Sequence, residues 1–201
     1  MATIVETTKI AAVHGGSHLH SVVSANNVDN GMLGFIQFNG DDNMEIKNFV
    51  TYANADDIAA NKAVLVANPE WDYSGNREND RLDNYVNVSN VPFRVYDLIE
   101  GDIYGVSIDG FVNNTVFADA TEADKTLVVL DATTGKLKKA ASNATVASLD
   151  EANAFIGIYR GSKARGTGIV VIDGEDQSVN YTMYYVEVLK NDGVKVPKAS
   201  S

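Results

Sequence analysis

The sequence has no cysteine, only three prolines and no long hydrophobic run. Without cysteine the chain forms no disulfide, no thiolate metal site and no cysteine nucleophile, which fits synthesis in a reducing cytoplasm. The longest apolar runs, such as residues 127–130, have the length of a strand and fall far short of the roughly 18 residues of a membrane span. The first residues carry no signal-peptide pattern, so we expect neither secretion nor membrane insertion.

Positive charge is also scarce. The chain has 16 lysines and arginines against 27 acidic residues, which gives a formal net charge of -11. Nucleic acid and anionic membranes require a basic surface, so we expect neither as a partner and a protein as the natural one. Two basic clusters, at residues 136–139 and 160–165, are interpreted either as solvated charge in hairpins or as a basic edge that docks on an acidic partner.

Alternating apolar and polar residues recur along the chain, for example at residues 44–52, 104–108 and 182–188, and helical periodicity is rare. Asx-Gly turn signals separate these stretches, among them Asp131 to Gly135 and Asp173-Gly174. The pattern predicts a mainly β protein of small antiparallel barrel or sandwich domains. One or two short helices are predicted, at residues 55–63 behind an Asn54 cap and at a capping box beginning at Ser148.

The predicted organisation has four parts. Residues 1–20 form an extended N-terminal arm, residues 21–115 a β-rich domain with a polar loop at 71–84, residues 121–190 a small β-barrel-like domain, and residues 191–201 a flexible tail. Strands of the second domain are predicted at 126–130, 136–140, 155–160, 168–173 and 181–190. The glycines between residues 161 and 168 are interpreted as a hairpin tip.

The three histidines, His14, His18 and His20, all lie within seven residues. On a strand His18 and His20 share one side, which is how adjacent imidazoles chelate a transition metal. A metal site needs further ligands, and no histidine remains elsewhere to supply them. We therefore expect no metal and no cofactor, and keep His18 and His20 as weak candidates.

The sequence contains no catalytic constellation. A serine nucleophile at Ser17 has no nucleophile-elbow pattern around it, so we expect no enzymatic activity. The aromatic residues Trp71, Tyr73 and Tyr85 near the polar loop leave a carbohydrate-binding module as an alternative, because aromatic faces stack on sugars.

Two regions carry a resemblance to a known class of proteins. The first comprises residues 63–70 (AVLVANPE), Tyr73 and residues 92–107 (PFRVYDLIEGDIYGVS), and the second comprises residues 127–139 followed by residues 155–158 (FIGI). In this order they resemble head decoration proteins of tailed bacteriophages.

The resemblance implies a non-enzymatic virion protein that binds the lattice of the major capsid protein on the capsid surface and cements the head. It also implies a homo-oligomer, with trimers common among such proteins. The predicted capsid contacts are Thr3, Ile4, Val5 and Ile10 in the arm, which could add a strand to a neighbouring subunit, and Lys163 and Arg165. The alternatives are a phage tail or receptor-binding module with a sugar site, and a histidine-dependent metalloenzyme.

Overall fold

The computed structural model describes residues 3–11, 18–37, 46–68, 85–172 and 175–193, and gives the backbone alone for residues 166–172 and 175–180. The described chain is mainly β, as the alternation predicts, with thirteen strands and three short α-helices. The strands are β1 (Val5–Lys9), β2 (Leu19–Val23), β3 (Val28–Asp29), β4 (Leu33–Gln37), β5 (Ile46–Val50), β6 (Val64–Val66), β7 (Val86–Asn87), β8 (Phe93–Asp97), β9 (Ile103–Ser107), β10 (Leu127–Leu130), β11 (Leu137–Lys139), β12 (Phe155–Ile172) and β13 (Glu175–Asn191).

Five strands of the first half close into a barrel in the order β2-β5-β4-β6-β8. Its interior is filled by valines and by Phe49 and Phe93, whose rings meet edge to face at 5.6 Å. The small diameter requires a glycine at Gly34, because a Cβ there would lie 2.4 Å from the Phe49 ring. β3 and β7 pair separately as a two-stranded sheet.

The remaining strands form one six-stranded sheet in the order β1-β9-β13-β12-β10-β11. Each pair of neighbours is antiparallel. The sheet buries the side chains of Tyr104, Val106, Phe155 and Val186, which join Leu65 of the barrel in one apolar cluster. A continuous core therefore spans barrel and sheet.

Hydrogen bonds across the seam between barrel and sheet reinforce this packing. The buried side chain of Asn191, at the end of β13, accepts from the Ala63 amide at 2.8 Å and donates to the carbonyls of Ala63 and Leu98, also at 2.8 Å. The Ala154 amide donates to the Ile58 carbonyl at 2.9 Å. Each bond satisfies a backbone group that burial would otherwise leave without a partner.

The turn between β10 and β11 also reaches the barrel. Its Asp131 side chain accepts hydrogen bonds from the amides and hydroxyls of Thr133 and Thr134. Gly135 follows at φ 65°, a conformation that favours glycine, and its carbonyl accepts from the Leu33 amide at 2.8 Å. A Cβ on Gly135 would lie 2.7 Å from the Leu33 carbonyl oxygen, so this glycine permits the close approach.

The three α-helices are short: α1 (Ala55–Ala60), α2 (Asp119–Glu122) and α3 (Val146–Leu149). The predicted Asn54 cap of α1 is confirmed, since its side chain accepts from the Asp57 amide. The capping box of α3 begins at Thr145 and ends at Ser148, so Ser148 is the third helical residue rather than the predicted cap. In the described part of the chain, no helix is long and apolar enough to cross a membrane.

These strands correct the predicted division of the chain. The barrel lies within residues 19–97, whereas the segment predicted as a barrel, residues 121–190, contributes to the open sheet. The predicted arm at residues 1–20 and domain at 21–115 supply strands to that same sheet, because β1 pairs with β9 and β9 with β13. Asn191, predicted in the flexible tail, is buried. The predicted loop at 71–84 and residues 194–201 lie outside the described residues.

Candidate interaction surface

Strands β12 and β13 continue well beyond the sheet. β10 pairs only with residues near the start of β12, and β9 pairs with β13 only from Met183 to Glu187. Beyond these points residues 164–172 and 175–182 pair with each other, from Ala164↔Thr182 to Ile172↔Glu175. No other strand in the described part of the chain pairs with them. We call this two-stranded segment the ribbon; at about 3.3 Å per residue it extends about 30 Å.

An ion-pair network fixes the base of the ribbon to the edge strand β1. Arg165 donates to both carboxylate oxygens of Glu6, at 3.1 and 2.5 Å, and Tyr185 donates to Glu6 at 2.8 Å. Partial burial alone would raise the pKa of Glu6, but the hydrogen bonds from Tyr185 and Arg165 outweigh it and lower the pKa below its usual value. The bidentate geometry restricts the direction in which the ribbon leaves the sheet.

The ribbon also corrects the predicted hairpin tip at glycines 161–168. These residues continue β12, and a bulge between Arg165 and Gly168 accommodates one extra residue opposite β13. Gly161 adopts φ 121° within the strand, at a second bulge. β12 runs to Ile172, which pairs with Glu175 of β13. The turn predicted at Asp173-Gly174 lies outside the described residues.

Most cations of the two basic clusters are paired within the chain. Arg160 contacts Asp124 and Glu187, each at 2.7 Å. Lys138 lies 3.6 Å from Asp131, and Lys139 lies 2.6 Å from a Glu122 oxygen. These ion pairs leave little net positive charge on the predicted basic edge. In the described part of the chain, Lys163 is exposed and forms no ion pair.

The predicted contacts of the N-terminal arm lie within the chain's own fold. Thr3 and Ile10 are buried. The Ile4 amide donates to Oγ of Ser107 at 3.0 Å and its carbonyl accepts from the Ser107 amide at 2.9 Å, and Val5 pairs with Val106 in β9. Sequence alternation could not distinguish a strand added to this chain from one added to a neighbour. Among the predicted capsid contacts, Thr3, Ile4, Val5 and Ile10 therefore make contacts within their own chain, whereas Lys163 and Arg165 are exposed.

The described histidines surround one carboxylate at the end of β8. His18 and His20 lie 3.5 and 3.4 Å from the oxygens of Asp97, and Lys62 lies 3.6 Å away. Lys47 lies 3.2 Å from Nδ1 of His20. The charges of Lys47 beside His20 and of Lys62 beside Asp97 oppose the approach of a metal cation, and no group of three or more residues that could hold a metal ion occurs in the described part of the chain. His14 lies outside that part.

The sugar-site alternative falls mostly outside the described residues, which exclude Trp71 and Tyr73. Tyr85 accepts a 2.6 Å hydrogen bond from the side chain of Asn68. The same asparagine is held by Asn30, which accepts from its amide and donates to its carbonyl, each at 3.0 Å. Asn68 and Tyr85 therefore hold together the two ends of the 69–84 segment.

The ribbon was not predicted from the sequence as an interaction element. Its signal was the run Ile169-Val170-Val171-Ile172 directly before Asp173-Gly174, which indicates a hairpin but not that the hairpin leaves its sheet. Comparisons of the chain with models of known protein families, with curated proteins and with solved structures found no match.

Proposed function

We propose that this protein is a non-enzymatic structural protein of a tailed-bacteriophage virion, which binds the lattice of the major capsid protein on the capsid surface and stabilises the head. The observation that carries the proposal is the ribbon. A two-stranded ribbon is marginally stable on its own in water, so a long one that leaves its sheet fits a protein that completes it by assembly.

Two further features support an assembling protein. The barrel and the sheet share one core, with hydrogen bonds across the seam, which suits a rigid body that bridges neighbouring subunits. The resemblance to head decoration proteins covers the turn at residues 131–135, which packs against the barrel through Gly135. Many weak contacts of one such body would be multiplied by avidity across a shell of identical subunits.

The proposed head contact is at the base of the ribbon. Arg165 is engaged by Glu6, which leaves Lys163 as the cation available to an acidic group of the capsid. A charged side chain at the periphery of an interface, as proposed for Lys163, alters the rate of association and its salt dependence more than the final affinity. Replacing Lys163 with alanine should therefore slow head binding, whereas the same change at the exposed Lys125 should not.

Co-sedimentation tests the proposal directly. The purified protein is mixed with expanded phage heads that lack it, with unexpanded heads and with unrelated shells. Selective and saturable binding to expanded heads, at a fixed ratio to the major capsid protein, is the expected result. An absence of binding to any head would reject the proposal and favour the tail module, which a glycan array would then test.

A further inference from the structure

We propose that the outer edge of β12 in the ribbon, residues 164–172, pairs antiparallel with the same edge of a second copy of this chain. Two copies would then share a continuous four-stranded sheet made from both ribbons. This inference goes beyond the proposed function, because it concerns the protein alone in solution.

The backbone of this edge has hydrogen-bonding groups that no strand of the described chain uses. In an antiparallel ladder, alternate residues direct their amide and carbonyl groups to the partner strand, and the others direct theirs outward. β12 uses one set for β13, and in the described part of the chain no strand pairs with the other set beyond Ser162. This row of unpaired donors and acceptors, about 30 Å long and interrupted at the bulge between Arg165 and Gly168, is a template for another strand.

Beyond Arg165 and the bulge that follows it, the sequence of this edge does not prevent such pairing. Proteins that keep an edge strand unpaired protect it with charged residues, with proline, with β-bulges or with a very short strand. Residues 166–172 (GTGIVVI) contain neither a charge nor a proline, and they end with four consecutive β-branched residues. High β propensity, no charge and no proline characterise a strand that pairs.

The charges along the ribbon favour a second copy as the partner. Its base carries Lys163, which forms no ion pair with a described residue, and its far end carries Glu175 and Asp176, which pair with Ile172 and Val171. Antiparallel apposition of two ribbons places the acidic end of each beside the basic base of the other. A parallel arrangement would bring like charges together, which is unfavourable.

Two-fold symmetry makes this complementarity count twice. An isologous contact uses the same surface on both copies, so each favourable charge pair occurs in both halves of the interface. The two edges are identical in length and end at the same positions, so neither overhangs the other. The basic base and acidic end of one chain thus suffice to specify an antiparallel dimer.

Sedimentation equilibrium with charge-swap variants tests the arrangement. The experiment covers protein concentrations up to about 100 µM, well above the micromolar Kd of many specific interfaces, and we expect the wild type to dimerise within this range. Lys163→Glu alone, and Glu175→Lys with Asp176→Lys, should each weaken dimerisation about tenfold, the effect of about 1.4 kcal/mol. The triple variant should recover most of the wild-type affinity, and Lys125→Glu should leave it unchanged.

A monomeric wild type over this range would overturn the proposal. So would a triple variant weaker than either parent, because complementary charges would then play no part in the contact. No phage head is present in this experiment, so its failure is distinguishable from a failure of the proposed function.

Disulfide trapping locates the contact, since the wild-type chain contains no cysteine. Opposed Cα atoms of antiparallel strands lie about 4.5–5.5 Å apart, within the range of a disulfide. Among single-cysteine variants at residues 164–172, we expect one central position or neighbouring pair to cross-link two copies, with yield falling towards both ends. In mixtures, positions placed symmetrically about that centre should cross-link to each other. Maximal self-cross-linking at both ends, or equal yield throughout, would overturn the antiparallel arrangement.

Discussion

The body formed by barrel and sheet differs from the ribbon in where its backbone groups find their partners. At the seam, groups of Ala63, Leu98 and Ile58 are bonded to residues more than ninety positions away in the chain. In the ribbon, β12 and β13 pair only with each other over residues 164–172 and 175–182, as far as the described chain extends. The body is completed within one chain, whereas the ribbon has an edge that another chain can complete.

The distribution of charge follows the same division. In the body, Arg160, Lys138 and Lys139 each meet an acidic side chain of the same chain. At the ribbon, Lys163 is left without an ion pair in the described part of the chain, and the acidic residues of the far end stand several residues from it. The basic clusters of the sequence therefore have two roles, one internal and one suited to a partner. Four predictions test this contrast between body and ribbon.

The greatest loss of stability is expected at Asn191, whose side chain makes three buried hydrogen bonds across the seam. Asn191→Ala should lower the free energy of unfolding by about 3 kcal/mol, because buried backbone groups lose their partners. Denaturant titration measures the loss, and barrel and sheet should still unfold in one transition. Asn153→Ala, which removes a single partly buried bond, is the control and should cost about 1 kcal/mol or less. Equal losses in the two variants would contradict the role of the seam.

A smaller effect is expected at Gly135, where the β10–β11 turn contacts the barrel. Gly135→Ala should cost more than about 2 kcal/mol, because alanine is strained at positive φ and its Cβ would meet the Leu33 carbonyl. Gly101 is the matched control, since it has φ 87° but a Cβ added to it would meet no atom within 4 Å. Gly101→Ala should therefore show only the conformational cost, about 1 kcal/mol. Similar losses of unfolding free energy at both positions would show that close contact with the Leu33 carbonyl does not contribute to the cost at Gly135.

The third prediction concerns the same turn and its dependence on pH. Partial burial would raise the pKa of Asp131, but hydrogen bonds from Thr133 and Thr134 lower it from 3.8 to about 2. The stabilisation is present above the unfolded pKa and is lost as the pH falls from 3.8 to about 2. Asp131→Asn should be less stable than the wild type by about 1 kcal/mol at neutral pH, allowing for solvent screening, and the difference should shrink as the pH falls below 3.8 and vanish only below the folded pKa of about 2. A difference independent of pH would exclude the carboxylate as its source.

These tests concern contacts that the sequence predicted unequally. Local signals were sufficient for the Asn54 cap, for the turn at residues 131–135 and for the strands that flank it, because each depends on neighbouring residues. The alternation of β-strands also indicated the fold class. Closure of the barrel could not be predicted, because it depends on pairings such as β2 with β8 between strands far apart in the chain.

The candidate site shows the same limit. The residues Lys163 and Arg165 were selected from the sequence, but the sequence assigned them to a hairpin tip, whereas they lie within a long strand at the base of the ribbon. The arm residue Ile10 was selected for its apolar character, which equally suits the buried position it occupies. An apolar strand is specified by its pattern, but the identity of the sheet that it joins is not.

Shortening the ribbon should change the stability least of all. Deleting residues 169–178 and joining Gly168 to Val179 through Asn-Gly preserves an antiparallel pair, Gly168↔Val179, closed by a two-residue turn. Since the ribbon contributes no described residue to either buried cluster, the free energy of unfolding should change by less than about 0.5 kcal/mol. The same variant should be monomeric by sedimentation. A larger loss in the free energy of unfolding would mean that the ribbon packs on its own chain. It would contradict the distinction between a body whose backbone groups are paired within the chain and a ribbon with an unpaired edge.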